Sequence, residues 1–270
     1  MIVFPNAKIN LGLDIIQKFS NGFHQISSCF LPVAWQDVLE ILPSPKYQFV
    51  TSGITIPSNG KPNLCSEAYQ LLKTDFDIPP VTIHLHKNIP IGAGLGGGSA
   101  DASFTLKALH ELFSLNIKKQ KLEEYAAKLG SDCPFFIQNK TVLATETGTV
   151  FSEININTKA IFIVLIYPNL HISTAEAYAN VTPRVPQRSV TEILKRPPKE
   201  WKKELKNDFE ESLFPEYPIL ENLKKQFYNL GAFYSSMTGS GATVYGLFSE
   251  QPNLHFQLPK NAIVWKGKLL

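Results

Sequence analysis

Five of the seven residues from Gly92 to Gly98 are glycine, within the run Pro90, Ile91, Gly92, Ala93, Gly94, Leu95, Gly96, Gly97, Gly98, Ser99, Ala100. Glycine removes the side chains that would keep main-chain N–H groups away from a ligand, and convergent N–H groups favour an anion. The expected guest is a polyphosphate. It would be wrapped by the loop, by the N-terminus of a following helix and by the Ser99 hydroxyl, with positive charge supplied from elsewhere.

Three common phosphate-binding loops do not fit. Gly92, Gly94 and Gly97 satisfy G-x-G-x-x-G, but a dinucleotide site also needs an acid about 20 residues on, at the end of a second strand. Leu115 to Lys118 occupy that place. A Walker A loop needs Gly-Lys-Ser/Thr, whereas Gly98 runs directly into Ser99. Protein kinases need His-Arg-Asp and Asp-Phe-Gly, and neither tripeptide occurs.

The loop must be held by the elements on either side of it. Alternation at Val81, Ile83 and Leu85 predicts a strand that ends at the loop. Helical spacing at Ala102, Leu106, Leu109 and Phe113 predicts a helix directly after it. A second amphipathic helix is expected around Leu122, Tyr125, Ala126 and Leu129, stopped by Gly130. The apolar run Ala160–Tyr167 predicts a buried strand. Prolines and charges between Arg184 and Pro198 suggest a surface crossing, followed by helical patterns over 199–214 and 219–230. Two short strands, 233–237 and 243–248, are split by the turn Thr238-Gly239-Ser240-Gly241-Ala242. Strands mixed with helices imply an α/β or α+β architecture.

Composition narrows the class. The chain has 270 residues, 44% hydrophobic, with formal net charge +3, enough for one large domain or two modest ones and too weakly basic for a nucleic-acid footprint. The basic cluster Lys195–Lys206 is interleaved with acids, as on a solvated helix face. Three cysteines, Cys29, Cys65 and Cys133, are odd in number and far apart, which fits a reducing compartment and neither a zinc site nor a disulfide framework. No stretch of 18 apolar residues occurs, so neither export nor membrane insertion is expected, and the location expected is cytoplasmic.

Pro90–Ala102 resembles the second motif of the GHMP kinases, the galactokinase, homoserine kinase, mevalonate kinase and phosphomevalonate kinase family. Met237–Phe248 resembles their third motif, and Pro5–Ile15 their first. Asn21–His24 (Asn-Gly-Phe-His) and Leu129–Phe136 are closest to the branch acting on a cytidine-diphosphate-linked methylerythritol. The resemblance covers most of the first 180 residues and 237–248, and nothing specific between about 183 and 230. It implies a two-lobed fold: an N-terminal ATP-binding domain, 1–155, like domain 2 of ribosomal protein S5, and a ferredoxin-like C-terminal domain, 156–270.

Carried over motif by motif, the resemblance makes Lys8 and Asp132 the catalytic pair. Asp132 would accept the hydroxyl proton, while Lys8 keeps that carboxylate ionised and adds charge near the moving phosphoryl group. Asp132 equally suits a helix N-cap, following a glycine and preceding Pro134. Asn10, on the same strand face as Lys8, would hydrogen-bond the substrate. Ser99 would contact the β-phosphate or Mg²⁺, with no side chains assigned as a separate metal site. Asn63 and Lys87 match positions lining the adenine side, and each could instead be structural. Phe23 and His24, with Thr174 and Tyr178, would form the cytosine site, the rings of Phe23 and Tyr178 stacking on the base. Asn21 and Phe23 stand where the family usually has Asp and Tyr. The activity implied is Mg²⁺- and ATP-dependent phosphorylation of a small alcohol, without nucleic-acid or membrane partners. The competing readings are another small-molecule kinase of the family and a non-catalytic ligand-binding relative.

Overall fold

Residues 1–57, 60, 62–158, 160–253 and 255–269 are described by a computed structural model. They divide into two units that interleave along the sequence: unit 1 is Met1–Ala7, Trp35–Ile91 and Gly96–Lys140, and unit 2 is Lys8–Ala34, Gly92–Leu95 and Thr141–Leu270. In chain order the elements are β1 (Ile2–Val3), β2 (Asn6–Lys18), β3 (His24–Gln36), β4 (Val38–Pro43), β5 (Gln48–Gly53), α1 (Leu64–Asp75), β6 (Val81–Lys87), α2 (Gly97–Leu112), α3 (Lys119–Leu129), α4 (Cys133–Gln138), β7 (Val142–Thr145), β8 (Val150–Glu153), β9 (Phe162–Tyr167), α5 (Thr174–Ala179), α6 (Val190–Leu194), α7 (Pro198–Glu204), α8 (Phe209–Glu216), α9 (Pro218–Asn229), β10 (Tyr234–Met237), β11 (Val244–Phe248) and β12 (Ile263–Lys268).

In unit 1, strands pair in the order β1-β4-β6-β5, with only the β5–β6 ladder parallel. β6 buries every second residue, as its alternation predicts. Its apolar side faces α1 to α4 across a core that includes Ile83, Leu85, Tyr69, Leu106, Leu109 and Tyr125. α2 begins right after the glycine loop and ends where the Phe113 N–H bonds the Leu109 carbonyl at 3.1 Å.

Unit 2 holds two four-stranded sheets, β2-β3-β7-β8 and β10-β11-β9-β12. β9 is the apolar run seen in the sequence, paired antiparallel on both sides. Gly246 of β11 faces α9, where a Cβ would stand 2.3 Å from the Phe227 ring, so glycine lets that helix close on the sheet. The strand β12 had no counterpart in the sequence reading.

Two expectations are corrected. The helical pattern over 199–214 is not one helix, because the chain leaves α7 at Leu205 and enters α8 at Phe209. At the break, Leu13 N–H donates to the Lys206 carbonyl at 2.7 Å and Asp208 N–H donates to the Leu13 carbonyl at 2.9 Å, so pairing to β2 outcompetes the helix. The surface crossing 184–198 contains α6, opened by a capping box in which Ser189 and Glu192 bond reciprocally. Cys29, Cys65 and Cys133 are free and buried. Among the described residues no helix is long and apolar enough to cross a membrane.

Candidate active site

The glycine loop passes from unit 2 into unit 1 between Leu95 and Gly96. On the unit 2 side, Gly94 has φ +76° and a Cβ there would lie 2.1 Å from the Thr238 carbonyl oxygen, so no other residue fits. The Thr238 hydroxyl donates to the Gly94 carbonyl at 3.1 Å, and Thr243 N–H donates to the Ala93 carbonyl at 3.3 Å. The third motif therefore lies against the second, as the resemblance implies. Lys8 N–H donates to the Leu95 carbonyl at 2.9 Å, which adds the first motif to the same cluster.

On the unit 1 side, Gly96 is the N-cap of α2 in the left-handed region (φ 69°), with no side-chain cap and no acid in the first turn. The starting N–H groups of a 16-residue helix, at Gly97, Gly98 and Ser99, are thus left without a capping side chain. A Cβ on Gly98 would meet nothing within 4 Å, so the space beside it is open. Uncapped donors, the positive end of the helix dipole and open space together suit a phosphate. Pro90 is buried and Ile91 half-buried at the loop entrance, while Ala100 begins the hydrogen-bonded helix through its N–H to the Gly96 carbonyl at 2.9 Å.

Lys8 is 4% exposed, its ammonium 2.7 Å from Asn10 Oδ1 and 4.3 Å from the centre of the Phe30 ring. Asn10 Nδ2 donates to Ser28 Oγ at 2.8 Å, Ser28 donates to the Gly12 carbonyl at 2.6 Å, and Tyr245 donates to the Asn10 carbonyl at 2.8 Å. The Asn10 carboxamide thus orients Lys8. In unit 1, Asp132 sits half-buried at the N-cap position of α4. It occupies the cap position without a side-chain cap hydrogen bond.

The two residues expected on the adenine side both make internal contacts. Asn63 caps α1, its Oδ1 accepting the Cys65 N–H at 2.9 Å. Lys87 is turned into the unit 1 core, where its ammonium bonds Asp37 and, at 2.8 Å, Asp101. Burial and two acidic partners hold this cation away from solvent, and no sequence spacing announced either carboxylate. Ser99 is half-buried, and burial pushes the Cys133 thiol up to about 11.

Among the expected cytosine residues, unit 2 pairs His24 with Tyr178, stacked at 4.4 Å and 20°. Tyr178 also meets Phe209 edge-on at 4.8 Å. Phe23 is 62% exposed in the β2–β3 turn, where its backbone N–H donates to Asn21 Oδ1 at 3.0 Å. Thr174 is exposed at the first residue of α5, next to the capping Ser173. Desolvation and then the Lys18 charge lower the His24 pKa, favouring a neutral imidazole with one donor and one acceptor. Cavities in unit 2, of 440 and 620 Å³, share Arg184, Lys206 and Asp208; of the motif residues only Asp14 lines either of them, in the larger.

A glycine loop clasped by a second glycine turn, opening a helix whose first N–H groups are uncovered, defines a phosphate-handling α/β protein. The GHMP kinases N terminal domain matches residues 63–140 and the GHMP kinases C terminal domain matches 189–261. The chain belongs to the GHMP kinase family, whose members are ATP-dependent phosphotransferases. A curated relative from Cytophaga hutchinsonii, 4-diphosphocytidyl-2-C-methyl-D-erythritol kinase, is 47% identical over 262 residues, 97% of each chain. The protein of that name from Bacteroides fragilis is 48% identical over 94% of each chain. A crystal structure of 4-(cytidine 5'-diphospho)-2C-methyl-D-erythritol kinase superposes with a TM-score of 0.79 at 29% identity, covering 92% of this chain and 90% of that one. A mevalonate kinase structure, at 14% identity and TM-score 0.67 over 100% and 99% of the two chains, shares the fold.

Proposed function

We propose that this protein transfers the γ-phosphoryl group of ATP to the 2-hydroxyl of 4-diphosphocytidyl-2-C-methyl-D-erythritol, a step of isoprenoid precursor synthesis in the cytoplasm. The observation carrying this reading is the 47% identity, over 97% of both chains, to a curated kinase of that name. The loop chemistry supports it: Gly94 admits the Thr238 turn, and the uncapped start of α2 offers N–H donors to phosphate oxygens. The conventional domain boundary near residue 155 belongs to the same proposal.

In this mechanism Asp132 takes the hydroxyl proton late in a loose transition state, and Lys8, aimed by Asn10, neutralises developing charge. Among the described residues no group of three or more His, Cys, Asp or Glu could hold a metal ion. The donor chemistry instead fits Mg²⁺ carried by the nucleotide, which keeps most of its water and needs only a hard oxygen such as the Ser99 hydroxyl. When bound, that ion neutralises phosphate charge. His24, Phe23, Thr174 and Tyr178 recognise the cytosine, the neutral imidazole reading its edge.

The test is ADP release with ATP and a panel of alcohols. Turnover with the cytidine-linked methylerythritol and none with homoserine or mevalonate is expected. Preferential turnover of either of the latter would return the chain to the broader kinase family, and ATP binding without turnover of any alcohol would favour a sensor.

A further inference from the structure

We propose that Asn207, in the segment where no motif was recognised, is a positioning residue for phosphoryl transfer, an inference that rests on the kinase reading above. The break between α7 and α8 places Asn207 beside Leu13 of β2, 2% exposed. Its Nδ2 donates to the carbonyls of Met237 at 2.8 Å and of Gly239 at 2.9 Å, and its Oδ1 accepts the Phe209 N–H at 3.1 Å. Those two carbonyls belong to the residues flanking Thr238. One carboxamide therefore fixes the main chain on both sides of the residue that clasps the glycine loop.

Thr238 passes the constraint on in two directions. Its hydroxyl accepts the Asn10 N–H at 3.0 Å and donates to the Gly94 carbonyl at 3.1 Å. Asn10 in turn holds the Lys8 ammonium at 2.7 Å. Asn207 thus reaches the phosphate loop and the catalytic lysine through one turn, while touching no reacting atom. Only a side-chain amide offers two N–H donors on one atom and an acceptor beside it. Leucine has neither, and an ionised aspartate would set oxygen against two carbonyl oxygens.

The test compares ATP binding by calorimetry with separate kcat and KM values for both substrates, in the full chain. Asn207→Asp keeps the shape and loses both donors; ATP binding about 10- to 100-fold weaker is expected, equivalent to one or two buried hydrogen bonds lost, with reduced kcat and KM for the alcohol within twofold. Thr238→Val should reproduce this pattern, Thr238→Ser should restore it, and the two losses should fail to add in the Asn207→Asp, Thr238→Val double variant. A folded Asn207→Asp with wild-type ATP affinity and kcat overturns the proposal, as does an equal loss for both substrates. If Asn207→Asp does not fold, the Thr238 pair decides: wild-type behaviour of Thr238→Val overturns it. Absence of ATP binding by the wild-type chain overturns the kinase reading itself, whereas ATP binding indifferent to all these variants overturns only the positioning role.

Discussion

The glycine segment is anchored by opposite chemistries in the two units. In unit 1 the anchor is charged: Lys87 lies between Asp37 and Asp101, and the other Asp37 oxygen accepts the N–H groups of Asn88 at 2.6 Å and Ile89 at 2.9 Å. Gly97 fits against this cluster, since a Cβ there would stand 3.2 Å from the Lys87 ammonium. In unit 2 the anchor is neutral, made of amides, carbonyls and the Thr238 hydroxyl around Gly94. Neutral hydrogen bonds each contribute ~0.5–1.5 kcal/mol net, so that side weakens in steps. A buried ion cluster behaves otherwise, because removing one member strands the rest. The Lys87 charge is already paired within unit 1, so the mechanism proposed above draws its cation from Lys8.

The largest effect expected is on turnover with both anchors intact. Asp132→Asn should lower kcat by ~10²–10⁴-fold, the usual range for a general base, with ATP affinity nearly unchanged. Weakened ATP binding in that variant would mean that α4 belongs to the unit 1 anchor as well, and would break the separation drawn above.

Next in size is the charged anchor itself. Lys87→Met leaves Asp37 and Asp101 buried against each other, a class of change that costs ~3–5 kcal/mol. Chemical denaturation should register this as lost stability of the whole chain rather than as a selective rise in KM for ATP. A selective KM effect with normal stability would support a nucleotide contact for Lys87 instead.

A third measurement lies outside both anchors. Tyr178→Ala removes the ring that His24 stacks on at 4.4 Å. Aromatic–base stacking is worth ~1–3 kcal/mol, so KM for the cytidine-linked alcohol should rise about 5- to 150-fold while KM for ATP stays put. Phe23→Tyr, which keeps the ring face, should be nearly neutral. Equal activity on an alcohol lacking the cytidine would remove the clamp.

What was legible in the sequence follows the range of the forces involved. The glycine loop, the β6 alternation and the spacing of α2 are local, and each could be read from adjacent residues. Asn207 could not, because its partners lie 30 and 32 positions away and its helix-breaking strand contact comes from Leu13. The helical period ran through the break, and only the Asn207-Asp208 dipeptide, both turn-favouring residues, hinted at it. The ion pair of Lys87 was out of reach for a similar reason, its partner Asp37 being 50 positions upstream. The β12 strand does alternate, with Ile263, Trp265 and Gly267 more covered than their neighbours, but the burial is too shallow for a clear pattern.

The smallest expected effect is the one that tests why the charged anchor holds two acids for one base. Burial, only partly offset by Lys87, and the neighbouring Asp37 raise the Asp101 carboxyl from 3.8 to about 8, and its Oδ1 has no hydrogen-bond partner. A carboxyl whose pKa is higher in the folded than in the unfolded protein keeps a proton that the unfolded chain has already released. Its contribution to stability therefore falls as pH climbs from about 4 to about 8. Asp101→Asn removes the excess negative charge and retains a carbonyl oxygen to accept from the Lys87 ammonium. Denaturation midpoints should match the wild type near pH 4 and exceed it near pH 8, flattening the slope between them. The opposite result, a uniform loss at every pH, would mean that Asp101 acts as an ordinary ion-pair partner. Unit 1 would then hold its end of the loop by attraction between full charges on both acids, and the contrast with the neutral anchor of unit 2 would be sharper still.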